Sequence, residues 1–107
     1  MVRYISSEEL LILIRNDKIE KIGEGEIEKI STINANIPTK KLKKEIKKLV
    51  SRVIREYNKA IKEQIRSFKE DGGVDCIDEH KLEIRLWKEG NEYVAKITGK
   101  IDFYKLR

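Results

Sequence analysis

The chain has 107 residues, 40% of them charged and 39% hydrophobic, with a net charge of +5. That length excludes two ordinary domains, and no apolar run approaches a membrane span. A lone cysteine, Cys76, excludes an intramolecular disulfide, and no leader-like apolar segment opens the sequence, so a reducing cytoplasmic setting is expected. The bias to Ile, Lys and Glu suits either a thermophile-like, ion-pair-rich protein or an AT-rich genome.

In "VRYISSEELLILIRND", Ser6 stands three residues before Glu9, the spacing of a capping box. A short helix over about 7–16 is expected, although the continuous "LLILI" at 10–14 also fits a buried strand. In the next stretch, Gly23 and Gly25 are expected to break two short Ile-bearing segments, which makes "GEGE" a turn. A dinucleotide loop there is excluded by the missing third glycine and by glutamates that would repel phosphate. From Thr32, alternation places Ile33, Ala35 and Ile37 on one side of a half-buried strand closed by Pro38.

Thr39 is then positioned as N-cap of a long helix running to about Glu70, stopped by Gly72 and Gly73. At 100° per residue, Leu42, Ile46, Leu49, Val50, Val53, Ile54, Tyr57, Ala60, Ile61, Ile65 and Phe68 form one apolar stripe. Such a helix looks longer than one small sheet can cover, so its excess is expected on the N-terminal helix or on a second subunit, as a homodimer through this helix. Beyond it, "HKLEIRLWKEGNEYVAKITGKIDFYKL" reads as a β-hairpin turning at Gly90 and Asn91. This turn pairs Leu86 with Ala95, Ile84 with Ile97 and Leu82 with Gly99 on one face. The whole is expected to be a single α+β domain: a short N-terminal helix, one or two strands, one long central amphipathic helix and a C-terminal antiparallel hairpin.

The charge is segregated along the chain. Residues 38–69 hold twelve Lys or Arg against three acids, whereas residues 1–37 and 70–107 each carry a net −2. "TKKLKKEIKK" sets six lysines against one glutamate at a helix start, where the macrodipole favours acids. Lys41, Lys44, Lys48, Arg52, Arg55, Lys59, Lys62 and Arg66 are therefore the candidate nucleic-acid-binding residues, able to neutralise phosphates without reading bases. The competing reading is a solvated face, but such a face would carry Glu at i, i+4 from Lys throughout, as at Lys59 and Glu63.

A secondary binding face is assigned to Lys81, Arg85, Trp87, Lys96 and Lys100 on the outer side of the hairpin. There, Arg85 opposite Lys96 and Lys81 opposite Lys100 would be relieved by an anion. Trp87 could stack on a base, or simply pair with Val94 under the N-terminal segment. "DCIDEH" gathers Asp75, Cys76, Asp78, Glu79 and His80, but at no metal-site spacing, and a polar loop explains it. No nucleophile has a sequence-level activator beyond the Cys76–His80 proximity.

The reading is a non-enzymatic binding protein without cofactor or metal, whose partner is nucleic acid or another polyanion. The alternative is a protein-interaction module or small regulator or inhibitor, of a kind carried by mobile elements or viruses, docking on an acidic protein surface.

Overall fold

A computed structural model of the chain describes residues 2–107, apart from the side chain of Asp71. The architecture is α+β. The elements are β1 (Arg3–Tyr4), α1 (Ser7–Arg15), β2 (Ile19–Asn34), α2 (Thr39–Ser67), β3 (Cys76–Glu89) and β4 (Glu92–Leu106). They form one four-stranded mixed sheet in the order β1-β3-β4-β2. β4 lies antiparallel between β2 and β3, and β1 adds a short parallel pairing at Cys76 and Ile77. β2 and β3, joined through α2, are thereby parallel with a strand inserted between them, a split βαβ arrangement.

"LLILI" is helical, as the capping signal favoured. The Ser6 hydroxyl accepts from the Glu9 backbone N–H at 3.2 Å, completing half of a capping box. The Glu9 carboxylate turns instead to the Arg3 guanidinium, which tethers α1 to β1 and holds that carboxyl below its usual range.

The stretch expected to be two segments and a turn is one continuous strand of 16 residues. Gly23 and Gly25 do not break it, because both lie on the face under α2 and serve as close-approach points. A Cβ on Gly23 would stand 2.5 Å from the Phe68 ring, and one on Gly25 would stand 2.1 Å from the Gln64 amide. The extra residue at Ile22 is absorbed by a bulge between Lys21 and Gly23. The strand ends at Asn34, whose side chain accepts from the Asn36 backbone N–H at 2.7 Å and turns the chain toward Pro38.

α2 is 29 residues long, about 43 Å at 1.5 Å per residue. Pro38, not Thr39, occupies its N-cap position, and no side chain caps the end. Its last turn gives way to a 3-10 turn over Lys69–Asp71, and Gly72 and Gly73 follow at φ 90° and 87°. The helix does not overhang the sheet, because strands of 14 to 16 residues run about 50 Å and match it, although Ile54 and Ile65 at the edge of the stripe are only partly buried. Leu49, Val53, Tyr57 and Ile61 are buried against Ile27, Ala95, Ile97, Ile101 and Phe103 within the chain itself. Nor does α1 pack on α2. Leu10 and Leu13 close a second cluster with Ile5, Ile19, Cys76 and Tyr104 on the opposite sheet face.

The hairpin turns at Gly90–Asn91 and pairs Leu86 with Ala95 and Ile84 with Ile97 as expected. The third expected pair fails. His80 pairs with Lys100 and Glu83 with Thr98, so Lys81 and Leu82 together oppose Gly99 in a bulge. Lys81 takes the left-handed conformation that makes this possible, at φ 54°. The bulge exchanges the faces below it, so Asp78 and His80 share the outer face with Glu83, Arg85 and Trp87.

Candidate nucleic-acid interface

α2 rests on β2 and β4 and turns its other side to solvent. Lys41, Lys44, Lys48, Arg52, Arg55, Lys59, Lys62 and Arg66 are all exposed along that side. The structure adds Lys40, Lys43 and Lys47, which line a shallow depression with Lys44, Lys48, Ser51, Arg52 and Arg55 near the helix N-terminus. Their signal was present in the sequence, since Lys40 and Lys47 stand four and three residues from Lys44 and Lys43 stands four residues from Lys47.

These cations are largely uncompensated. Lys48 reaches Glu45 at 3.5 Å, and Arg52 donates to the Ser31 hydroxyl on β2 at 3.4 Å. Among the described residues no other Lys or Arg of α2 has an ion-pair partner, Lys59 included, although Glu63 stands one turn away. An exposed ammonium keeps its hydration and gains little from such a neighbour. The first turn of α2 contains no acid, so the positive end of the helix dipole adds to the same field.

The hairpin residues of the second face are differently placed. Lys81 sits in the bulge, and His80 rather than Lys81 opposes Lys100. Arg85 does oppose Lys96, but Arg85 Nε lies 2.7 Å from Glu83 and Lys96 Nζ lies 2.6 Å from Glu28. Glu24, Glu26 and Glu28 line the outer side of β2 beside these cations, so the like charges are relieved within the sheet. Trp87 pairs with Val94, and its indole N–H points to Glu89 at 3.4 Å. The N-terminal segment does not cover it, because that segment packs at the Tyr104 end. Trp87 remains 37% exposed.

The "DCIDEH" residues separate. Asp75 accepts from the Leu106 backbone N–H at 2.8 Å, and Cys76 is fully buried with its thiol pushed up by desolvation. Glu79 faces α2. Only Asp78 and His80 come together with Asp102, their ligand-capable atoms within 4.8 Å of one another. The Asp102 carboxylate is already shared by His80 at 3.2 Å and by the Lys21 ammonium at 3.3 Å. The Lys21 ammonium and the His80 hydrogen bond offset the repulsion that Asp78 and Asp102 meet as cross-strand neighbours.

No helix among the described residues is long and apolar enough to cross a membrane. Comparison with protein-family models, with curated proteins and with solved structures finds no match for this chain.

Proposed function

We propose that this chain is a non-enzymatic cytoplasmic binding protein that engages nucleic acid through the outward face of α2, largely by neutralising phosphates. One observation carries the reading: a helix about 43 Å long presents eleven Lys and Arg outward, and among the described residues Lys48 alone of these has an ion-pair partner. Uncompensated charge at this density is electrostatically unfavourable in the isolated protein, and a phosphate backbone relieves it by releasing condensed counterions. The helix also stands out from the sheet as a ridge. A ridge of roughly 10–12 Å matches a duplex major groove about 12 Å wide.

The test is fluorescence anisotropy of a labelled random-sequence duplex and single strand, titrated with the protein at about 50 and 200 mM salt. Steep weakening with salt and little dependence on sequence support the reading. Absence of binding at the lower salt overturns it.

A protein-interaction module is the second reading, and a different observation favours it. Leu82, Ile84 and Leu86 on the α2 side of β3 are 49%, 44% and 47% exposed, and Trp87 is exposed on the other side of the same strand. Binding through these residues would persist at high salt, unlike binding to phosphates.

A further inference from the structure

β3 is an edge strand over most of its length. β1 pairs only with Cys76 and Ile77, and the edge from Glu79 to Glu89 has no neighbouring strand among the described residues. Natural edge strands are ordinarily blunted by charge, proline or a covering element. β3 carries such charges on its outer face and a bulge at Lys81, but between the bulge and the hairpin turn the face toward α2 presents Leu82, Ile84 and Leu86 in a row, each close to half exposed. α2 lies over β2 and β4 and leaves this row open, forming a groove lined by Ile54, Tyr57, Asn58, Leu82 and Ile84.

The backbone of this edge is set for pairing. In a hairpin with a two-residue loop, Glu89 and Glu92 form a hydrogen-bonded pair. The odd-numbered residues Glu83, Arg85 and Trp87 therefore direct their backbone groups to β4, and Ile84 and Leu86 direct theirs to the open edge.

We propose that the chain forms a two-fold dimer by antiparallel pairing of β3 with the partner's β3, with Ile84 on the axis. Ile84 exchanges both backbone hydrogen bonds with Ile84 of the partner subunit, and Leu82 falls opposite the partner's Leu86. On the outer face, Glu83 falls opposite the partner's Arg85, so opposite charges meet twice across the axis.

Neighbouring registers are poorer. An axis at Arg85 sets it against the partner's Arg85, and an axis at Leu86 sets Glu83 against the partner's Glu89. An axis at Glu83 opposes the two copies of Glu83 and drives the partner's hairpin end to Ile77, where β1 is already paired. Of these four registers, only the Ile84-centred one joins apolar to apolar and acid to base across its central stretch, Leu82 to Leu86, and it stops short of β1, with Glu79 and the partner's Glu89 meeting only at its ends. Because the axis is normal to the sheet, both α2 helices lie on one face, flanking a cluster of six Leu and Ile side chains.

The dimer is tested on the full chain in buffer free of nucleic acid, so the result does not depend on polyanion binding. Sedimentation equilibrium from micromolar to near-millimolar protein is expected to show a monomer–dimer equilibrium. Ile84→Lys puts two ammonium groups on the axis and is expected to weaken it about a hundredfold or more. Circular dichroism is expected to show the fold intact, because Ile84 is exposed. Glu83→Arg and Arg85→Glu each weaken the dimer, and the double exchange restores it. Under mild oxidation, Ile84→Cys cross-links to itself, whereas Leu82→Cys and Leu86→Cys cross-link only when mixed, since an opposed pair lies within disulfide reach. A wild-type monomer throughout, a dimer indifferent to Ile84→Lys, or self-linking of Leu86→Cys equal to that of Ile84→Cys each overturns the proposal.

Discussion

The Tyr57 hydroxyl occupies the space above Gly99: a Cβ on residue 99 would lie 2.0 Å from that oxygen and 2.9 Å from the ring carbon that bears it. The phenol is 1% exposed and its oxygen has no hydrogen-bond partner among the described residues. Gly99→Ala is therefore expected to destabilise the fold by about 1–3 kcal/mol, the usual cost of overpacking. Tyr57→Phe removes a buried hydroxyl that has only the Glu79 carboxylate nearby, and is expected to change stability by no more than about 1 kcal/mol. The alanine costs less in the Tyr57→Phe background, with a coupling of at least about 0.5 kcal/mol. Urea unfolding of the four proteins in the cycle measures both quantities.

The packing of Tyr57 on Gly99 also shows where sequence patterns stop being informative. α2 and the hairpin were legible because each carries a long, uninterrupted period, 3.6 for the helix and 2 for the strands. Gly23, Gly25 and Gly99 carry no period. A glycine under a helix and a glycine in a turn look alike in the chain, and only the position of Phe68, Gln64 and Tyr57 overhead tells them apart. The sequence of β2 therefore resembles fragments joined by a turn. The bulge at Lys81 is hidden for a related reason, since lysine gives no signal for a left-handed conformation. Of the candidate interface, the charges were legible and their lack of partners was not, because a nearby Glu in sequence does not guarantee an ion pair in space.

Lys81 is the residue that moves His80 onto the face of Asp102, and it does so at φ 54°. A left-handed conformation costs a non-glycine residue roughly 1–2 kcal/mol, partly offset in a glycine by its greater chain entropy. Lys81→Gly is expected to stabilise by up to about 1 kcal/mol, and Lys81→Val to destabilise by more than that. Thermal unfolding with an otherwise unchanged spectrum checks both, and stabilisation by the β-branched residue would contradict the bulge.

Alkaline pH should weaken the fold through its tyrosines. Burial, aided by the Glu79 carboxylate, pushes the Tyr57 phenol well above its ordinary value. Burial and the nearby Asp102 raise the Tyr104 phenol. The folded state thus holds protons that the unfolded chain releases near pH 10, so this stability is intact below about pH 10 and is lost as pH climbs through the raised values. Urea midpoints followed upward from neutral pH are expected to fall in that window, and to fall less steeply in Tyr57→Phe. An identical decline in the two proteins would remove Tyr57 from the account.

The start of α2 sets stability against binding. Its first turn has no acid and no side-chain cap, and the exposed Lys40 and Lys41 stand at the positive end of the helix dipole. Replacing either with Glu reverses an unfavourable interaction and is expected to add about 0.3–1 kcal/mol to stability at low salt, an effect that fades as salt rises. If α2 meets phosphate, the same variants bind more weakly, and the slope of log affinity against log salt falls by about 0.9 for each phosphate no longer neutralised. Changing Lys44, Lys48, Arg52 and Arg55 together to Glu is expected to abolish binding while the fold persists, since all four are exposed. Thermal unfolding and anisotropy on the same variants separate the two effects. Higher stability with weaker binding means the lysines at the helix start are kept for the partner at the expense of the fold. Higher stability with unchanged affinity means they face only solvent, and the nucleic-acid reading fails.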